Sequence, residues 1–127
     1  MTMFVLIALL FLPAAAREFD YHVILKGSRT EATVKGYLPK PEDSALFSFS
    51  ARAGQHVSIR VTPITRRLVT QAVLIYPSGQ QDGPGVVLNS DATETGTYRI
   101  RVITREQTTG KFRLYLHVRL NADASKK

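Results

Sequence analysis

Apolar and polar residues alternate one by one along most of this chain, and this pattern limits how it can fold more than any other feature. The clearest case lies near the C-terminus, where polar or charged residues alternate with Phe112, Leu114, Leu116, Val118 and Leu120. Successive side chains of a β-strand point to opposite faces, so such a segment buries one face and exposes the other. Beyond residue 16, no stretch of ten residues shows the 3.6-residue apolar period of an amphipathic helix. The chain is therefore predicted to be all-β.

The alternating segments are short, and turn residues separate them. Strands are predicted over 19–25, 33–38, 46–51, 56–62, 69–76, 86–88, 98–102 and 111–120. Gly-rich and Pro-rich stretches predict turns at 53–55 and 77–79 and a loop over 80–85. About eight strands at this spacing predict an antiparallel two-sheet sandwich, jelly-roll-like, with an up-and-down barrel as the alternative.

The apolar phase of each predicted strand also predicts which side chains form the core. The predicted core residues are Phe47, Phe49, Val57, Ile59, Val73, Ile75, Tyr98, Ile100, Phe112, Leu114, Leu116 and Val118. The sequence contains no cysteine, so no disulfide can stabilise the domain. The core has to suffice, and a domain of roughly 110 residues buries enough surface for that.

An unbroken apolar run over residues 4–12 precedes the alternating part of the chain. Small residues at Ala14 and Ala16 follow it and match the pattern of a signal-peptide cleavage site. The run is about half of the ~20 residues that span a bilayer, which disfavours a stable membrane anchor. We predict a signal peptide over 1–16 with cleavage after Ala16, a single β-sandwich domain over 17–127, and a periplasmic or secreted location.

The net charge of +7 belongs to the predicted mature domain, because residues 1–16 carry no charged side chain. A charge of this sign favours an anionic partner, such as a cell-envelope polymer, a membrane surface or an acidic protein cleft. Export makes nucleic acid a poor candidate, so no nucleic-acid partner is predicted.

Residue patterns that carry chemistry are scarce in this sequence. It has no cysteine, no GxSxG elbow, no phosphate-binding glycine loop and no HExxH pair, and its histidines are scattered. The loop carboxylates Asp82, Asp91 and Glu94 leave a calcium ion as an open alternative. Two carboxylates facing across a cleft, as in a glycosidase, are a remoter alternative. No catalytic residue, metal site or cofactor is predicted, and the chain is interpreted as a non-enzymatic binding protein.

Arginines recur on the polar phase of the last two predicted strands. Arg99 and Arg101 share one face of the first of these strands, and Arg113 and Arg119 share one face of the second. If the two strands paired as a hairpin, all four arginines would flank a tyrosine and a histidine on one outward face. Arginine and tyrosine are enriched at binding hot spots, so we predict a salt-sensitive site for an anionic partner here. The alternative is a solvated face whose charges oppose aggregation.

Five segments together resemble two related groups of bacterial proteins. In chain order the segments read EATVKGYL, ALFSFSARAGQHVSIRV, AVLIYPSG, ETGTYRIRVI and GKFRLYLHV. They are similar to the periplasmic inhibitors of g-type lysozyme and to the pre-peptidase C-terminal domain of secreted proteins. Both groups have an AGQ-like turn before a V-x-I-x-V strand, a P-x-G turn after the middle strand, and a T/S-G-x-Y turn before the next-to-last strand. The resemblance spans about residues 28–118 and implies a β-sandwich.

For the lysozyme inhibitors, the resemblance implies a loop with an S-G-x-Y-type motif that enters the lysozyme cleft. This sequence has Thr95 at the serine position, followed by Gly96 and Tyr98, and threonine keeps the hydroxyl. The resemblance also implies that Arg105 lies nearby and pairs with a catalytic carboxylate. Thr95, Gly96, Tyr98 and Arg105 are therefore the predicted partner-binding residues of a lysozyme-inhibitor-like protein. The alternative is a cell-envelope or carbohydrate-binding module of the pre-peptidase type, in which the same motif is scaffold.

Overall fold

A computed structural model of the chain describes residues 17–23 and 30–120. The predicted signal peptide over 1–16 lies outside the described residues, and so does the end of the first predicted strand. Within the described ranges every regular element is a β-strand. That part of the chain contains no helix long and apolar enough to cross a membrane.

Nine strands follow one another along the described chain. They are β1 (Glu18–His22), β2 (Glu31–Leu38), β3 (Ser44–Ala51), β4 (Gln55–Pro63), β5 (Thr70–Ile75), β6 (Gln81–Gly85), β7 (Val87–Asp91), β8 (Gly96–Thr104) and β9 (Gly110–Leu120). One sheet has the order β1-β3-β8-β5-β6 and the other β2-β9-β4-β7. Neighbouring strands are antiparallel except for β1 and β3, which are parallel. The predicted all-β two-sheet sandwich is confirmed, and the strands do not close into a barrel.

The core fills the space between the two sheets, and both sheets contribute to it. Phe47 on β3 shows how the layers meet. Its ring stacks on Tyr21, with 4.7 Å between the ring centroids, and meets Phe112 edge-on, with 6.0 Å between the centroids. Those neighbours belong to β1 in the same sheet and to β9 in the opposite sheet. Burial alternates residue by residue along β9 from Gly110 to Val118, as its sequence predicts, whereas Leu120 at the end of the strand is exposed. Local alternation thus becomes a continuous apolar layer when the two sheets pack.

The predicted phase of β5 is wrong, whereas the other predicted core residues are all buried. Ala72 and Leu74 point into the core, while Val73 and Ile75 are only half-buried and lie on the outer phase of the strand. Apolar residues occupy both phases of β5, so the alternation alone could not show which side is buried. The neighbouring strands β8 and β6 decide that instead.

The predicted loop over 80–85 contains an edge strand, β6. Gly83 and Pro84 give this segment the composition of a turn, and the peptide bond between them is cis. Proline is tolerated on an edge strand because one side of the strand needs no ladder hydrogen bond. The pairing of β6 with β5 also shifts register between Ala72 and Leu74, so its ladder is irregular.

The predicted hairpin between the last two strands is wrong. β8 pairs with β3 and β5 in the five-stranded sheet, whereas β9 pairs with β2 and β4 in the four-stranded sheet. Arg99 and Arg101 therefore lie on the outer face of one sheet, and Arg113 and Arg119 lie on the outer face of the other. The single basic face predicted from these four arginines does not form, because the connection after β8 crosses between the sheets.

Candidate functional site

Three turns carrying the sequence motifs described above meet at one end of the sandwich. They are the β3–β4 turn (52–54), the β5–β6 turn (76–80) and the β7–β8 loop (92–95). The strand pairing brings them together, since Ala51 lies opposite Gly96 and Ile75 lies opposite Arg99. We call these three segments the turn end.

Thr95 ties the β7–β8 loop to the β3–β4 turn. Its hydroxyl oxygen accepts a hydrogen bond from the backbone N–H of Ala53 at 3.0 Å. The same two segments are joined again by the N–H of Gly54, which donates to the carbonyl of Ala92 at 2.9 Å. Thr95 is exposed, and its hydroxyl hydrogen has no acceptor among the described residues. The hydroxyl can therefore donate to a partner while its own position stays fixed.

Tyr98 braces the same loop from beneath. Its hydroxyl donates to the carbonyl of Glu94 at 2.6 Å and accepts from the Glu94 N–H at 3.2 Å. The ring is fully buried and packs against the rings of Tyr76 and Phe49, whose centroids lie 5.2 Å and 5.7 Å from its own. This burial raises the pKa of Tyr98, because the phenolate would lose its hydration. Tyr98 thus stays a neutral phenol that positions the loop and is not part of its exposed surface.

The β5–β6 turn supports the loop from the other flank. The Glu94 carboxylate accepts hydrogen bonds from the Ser78 backbone N–H at 2.9 Å and from the Ser78 hydroxyl at 2.8 Å. Gly96 packs directly on Pro77, where an added Cβ would come within 3.1 Å of the proline Cγ. Gly96 therefore permits the close approach of the two segments. Hydrogen bonds on both flanks make the 92–95 loop a preorganised surface.

The carboxylates considered for calcium engage separate protein partners. Asp82 accepts hydrogen bonds from the hydroxyls of Tyr76 at 2.8 Å and Ser90 at 2.7 Å. Burial, followed by the hydrogen bond to Asp82, raises the pKa of Tyr76. Asp91 lies 2.9 Å from Nδ1 of His56. Within residues 17–23 and 30–120, no three His, Cys, Asp or Glu side chains are grouped as metal ligands.

Arg105 does not lie beside Thr95. The two residues sit at opposite ends of β8, and ten residues of extended chain span about 33 Å. Arg105 instead donates from Nε to the side-chain oxygen of Gln71 at 2.8 Å. The prediction that Thr95 and Arg105 act together is wrong, because strand β8 separates them.

Two other arginines lie at the turn end, although the sequence did not predict them there. Arg52 is exposed and belongs to the β3–β4 turn beside Ala53. Arg99 is exposed and shares the outer phase of β8 with Thr97. The two-residue period of β8 could have placed Arg99 on the side of Thr95, but only the strand pairing shows that Arg52 is near.

An open groove of about 280 Å³ adjoins the loop on the outer face of the five-stranded sheet. Its lining residues are Ile75, Tyr76, Pro77, Ser78, Gly79, Thr97 and Arg99. The groove combines apolar walls with hydroxyl groups and one cation. Farther along β8, Arg101 donates to Glu18 at 2.7 Å, and this hydrogen bond lowers the pKa of Glu18. Of the two β8 arginines, Arg101 is therefore the one bound to a carboxylate, and the guanidinium of Arg99 is the more available to a partner.

Fold and site together define a β-sandwich protein that presents a rigid, hydrogen-bonded loop beside two exposed arginines. No protein family model and no curated protein sequence matches the chain. Solved structures do match it, and their similarity shows the fold.

The chain is similar to Aeromonas hydrophila PliG, a periplasmic lysozyme inhibitor of g-type lysozyme, with a TM-score of 0.70 and 15% identity over 83% of this chain and 100% of that chain. It is also similar to Salmonella Typhimurium PliG, with a TM-score of 0.63 and 18% identity over 80% and 98% of the two chains. The pre-peptidase C-terminal domain of a Bacillus anthracis collagenase matches with a TM-score of 0.57 and 18% identity over 82% and 98%. Both groups named by the sequence resemblance thus share this fold, and the resemblance is confirmed at that level.

Proposed function

We propose that this chain is an exported, non-catalytic binding protein whose turn end inhibits a lysozyme. The observation that carries the proposal is the fixed Thr95 hydroxyl, which is held by Ala53 and retains a free hydrogen in the described structure. The inhibitor function of the two PliG proteins with the same fold supports it. Residues 1–16 supply the export signal in this proposal.

The geometry suits insertion into an acidic cleft. A glycosidase cleft contains carboxyl groups that must stay available for catalysis. Thr95 can donate a hydrogen bond to such a group, and Arg52 and Arg99 can add charge-assisted bonds to nearby acidic residues. The hydrogen bonds that Ser78 and Tyr98 donate to Glu94 hold the loop in place before binding. Binding therefore orders few additional groups, which favours affinity.

We expect Thr95→Val to weaken inhibition of a g-type lysozyme by roughly tenfold or more, because a hydrogen bond to a charged group contributes about 1.5–3 kcal/mol. Valine keeps the shape of threonine but removes the hydroxyl. The measurement is the inhibition constant of the mature chain in a cell-wall lysis assay. Thr95→Ser should retain inhibition, since serine preserves the hydroxyl.

Thr93→Val is the matched control, because Thr93 is exposed in the same loop but forms no hydrogen bond described above. Arg105→Gln should also leave inhibition unchanged, since Arg105 lies at the far end of β8. Full inhibition by Thr95→Val would place the inhibitory surface elsewhere on the molecule.

The second candidate function is a cell-envelope or carbohydrate-binding module. The groove beside the loop favours it, because apolar walls with a few hydroxyls and one cation suit a sugar chain. The fold shared with the collagenase pre-peptidase domain also supports it. Retention of the mature chain by purified peptidoglycan, without inhibition of any lysozyme, would favour this function over the first.

A further inference from the structure

The outer face of the four-stranded sheet carries a group of cations in neighbouring positions. β9 runs between β2 and β4, and directly paired residues of antiparallel strands point to the same face. Lys35 on β2 pairs with Arg113 on β9, and Lys111 is the next outward residue of β9. Arg60 on β4 lies opposite Tyr115, which follows Arg113 on the same face. The cations of this surface, which we call the basic face, are Lys35, Arg60, Lys111 and Arg113.

Carboxylates within this sheet do not neutralise the basic face. The four strands contain only two acidic residues, Glu31 and Asp91, and both lie at the opposite end of the sheet. Glu31 accepts a hydrogen bond from Tyr115 at 2.9 Å, and Asp91 contacts His56. In the described part of the chain, the ion pairs within 4 Å involve none of the four cations.

Exposed apolar side chains border the basic face at one end. Tyr37, Ile64, Val86 and Val87 are between 42% and 55% exposed. The Ile64 N–H donates to the carbonyl of Lys111 at 2.8 Å, and the carbonyl of Val86 accepts from the Val61 N–H at 3.0 Å. Tyr37 pairs with Lys111, and Val87 on the edge strand β7 pairs with Arg60. The four residues therefore lie along one end of the basic face and its β7 edge, and we call them the apolar rim. Of the other large apolar residues in the described chain, only Leu120 is exposed to this degree.

We propose that the basic face and the apolar rim bind the surface of an anionic lipid bilayer. Cations of a peripheral protein attract acidic headgroups, and exposed apolar side chains enter the boundary between headgroups and acyl chains. The charges alone would suit any polyanion, but a soluble polymer offers no apolar phase to Val86 and Val87. The rim therefore selects a bilayer.

This surface is independent of the proposed inhibitory loop. β2 and β4 run from the turn end towards the apolar rim, so the two sites lie at opposite ends of the sandwich. A molecule held on a bilayer through its rim leaves Thr95 directed away from the lipid. Lipid binding and lysozyme inhibition can thus be tested separately.

The test is sedimentation of the mature chain with vesicles of phosphatidylcholine, with and without phosphatidylglycerol. We expect binding only to the vesicles with the anionic lipid, and an Arg60→Gln/Arg113→Gln variant should bind at least tenfold more weakly, since each cation near such a surface contributes about fivefold. Arg52→Gln/Arg99→Gln removes the same charge from the turn end and should change binding by less than about threefold.

A Val86→Ser/Val87→Ser variant distinguishes a bilayer from a soluble polyanion. It keeps every charge and changes only exposed side chains, so we expect a folded protein whose vesicle binding is at least fivefold weaker. Unchanged binding of this variant, equal binding to neutral vesicles, or no binding to anionic vesicles would each overturn the proposal. Lysozyme inhibition should be the same for this variant and the parent chain.

A separate observation concerns the carboxylate of Asp43, which is completely buried. Its Oδ1 atom accepts a hydrogen bond from the backbone N–H of Arg17 at 3.1 Å. Its Oδ2 atom accepts no hydrogen bond in the described part of the chain, and Nη2 of Arg17 lies 3.9 Å away. A buried carboxylate with an unsatisfied oxygen lowers stability.

We infer that Asp43 receives the α-ammonium group created by cleavage after Ala16, an inference that rests on the predicted cleavage site. Hydrolysis adds water across the Ala16–Arg17 bond, so Ala16 leaves as a carboxylate and the Arg17 nitrogen becomes an ammonium. An amide has one N–H donor and no charge, whereas an ammonium has three donors and a positive charge. It can therefore satisfy both oxygens of Asp43 and neutralise its charge. Removal of the signal peptide thus stabilises the fold.

The test compares a chain that begins at Arg17 with one that retains Ala16, and the shorter chain contains all nine strands. We expect the folding equilibrium constant from urea denaturation to be at least tenfold larger for the chain beginning at Arg17. In an Asp43→Asn background, this difference should disappear. Equal stability of the two chains, or a difference that persists with asparagine, would overturn the inference. If Asp43→Asn does not fold, N-terminal acetylation of the Arg17 chain should cause the same tenfold loss.

Discussion

Leu116→Ala is expected to lower the free energy of unfolding by about 2–5 kcal/mol. Leu116 is fully buried on β9, which lies between β2 and β4 in the four-stranded sheet. Its side chain contributes to the layer between the sheets, so its removal leaves a cavity that neighbouring strands cannot close without moving. Urea denaturation of the chain beginning at Arg17, followed by circular dichroism, measures the loss.

Leu120→Ala is the matched control on the same strand. Leu120 is 59% exposed, so the same chemical change should cost less than about 0.5 kcal/mol. Similar losses for the two variants would contradict the burial of Leu116 and the exposure of Leu120 on the same face of β9.

Gly36→Ala is expected to destabilise the protein by about 1–3 kcal/mol, although alanine suits a strand at least as well as glycine. Gly36 lies opposite Phe112, and a Cβ at this position would come within 2.3 Å of the phenylalanine Cζ. The Phe112 ring is fully buried and in contact with Phe47, so it has little room to move. Thermal and urea denaturation measure the loss.

A second substitution separates this steric cause from a backbone effect. In a Phe112→Leu background the smaller side chain leaves room for a Cβ, so Gly36→Ala should cost less than it does in the parent chain by 1 kcal/mol or more, as expected for contacting residues. An undiminished cost in that background would show that the backbone of Gly36, and not the ring of Phe112, requires glycine.

The sequence alone predicted the class of fold and the residues that face the core on most strands. On β9 the apolar and polar residues alternate strictly, and the structure buries the predicted side as far as Val118. The motif Thr95-Gly96-Thr97-Tyr98 was also recognised as a unit, because its members are adjacent in the chain. These features could be predicted because side-chain direction in a strand is a local property of extended backbone.

On β5 and β6 local information was insufficient. Apolar residues on both phases of β5 left its buried side undetermined, and Leu74 rather than Val73 turned out to face the core. The Gly and Pro residues of β6 predicted a loop, yet the segment pairs along the edge of a sheet. In both cases contacts with neighbouring strands decided the outcome over local preference.

Only the tertiary structure decided which strands are neighbours, and with them the composition of every surface site. Alternation shows that β8 and β9 are strands but not that they belong to different sheets. The basic face therefore unites Arg113 with Lys35 and Arg60, and the turn end unites Thr95 with Ala53 and not with Arg105. The physical reason is that strand pairing is selected by burial across the whole molecule, whereas the sequence pattern of one strand records only which of its faces is apolar.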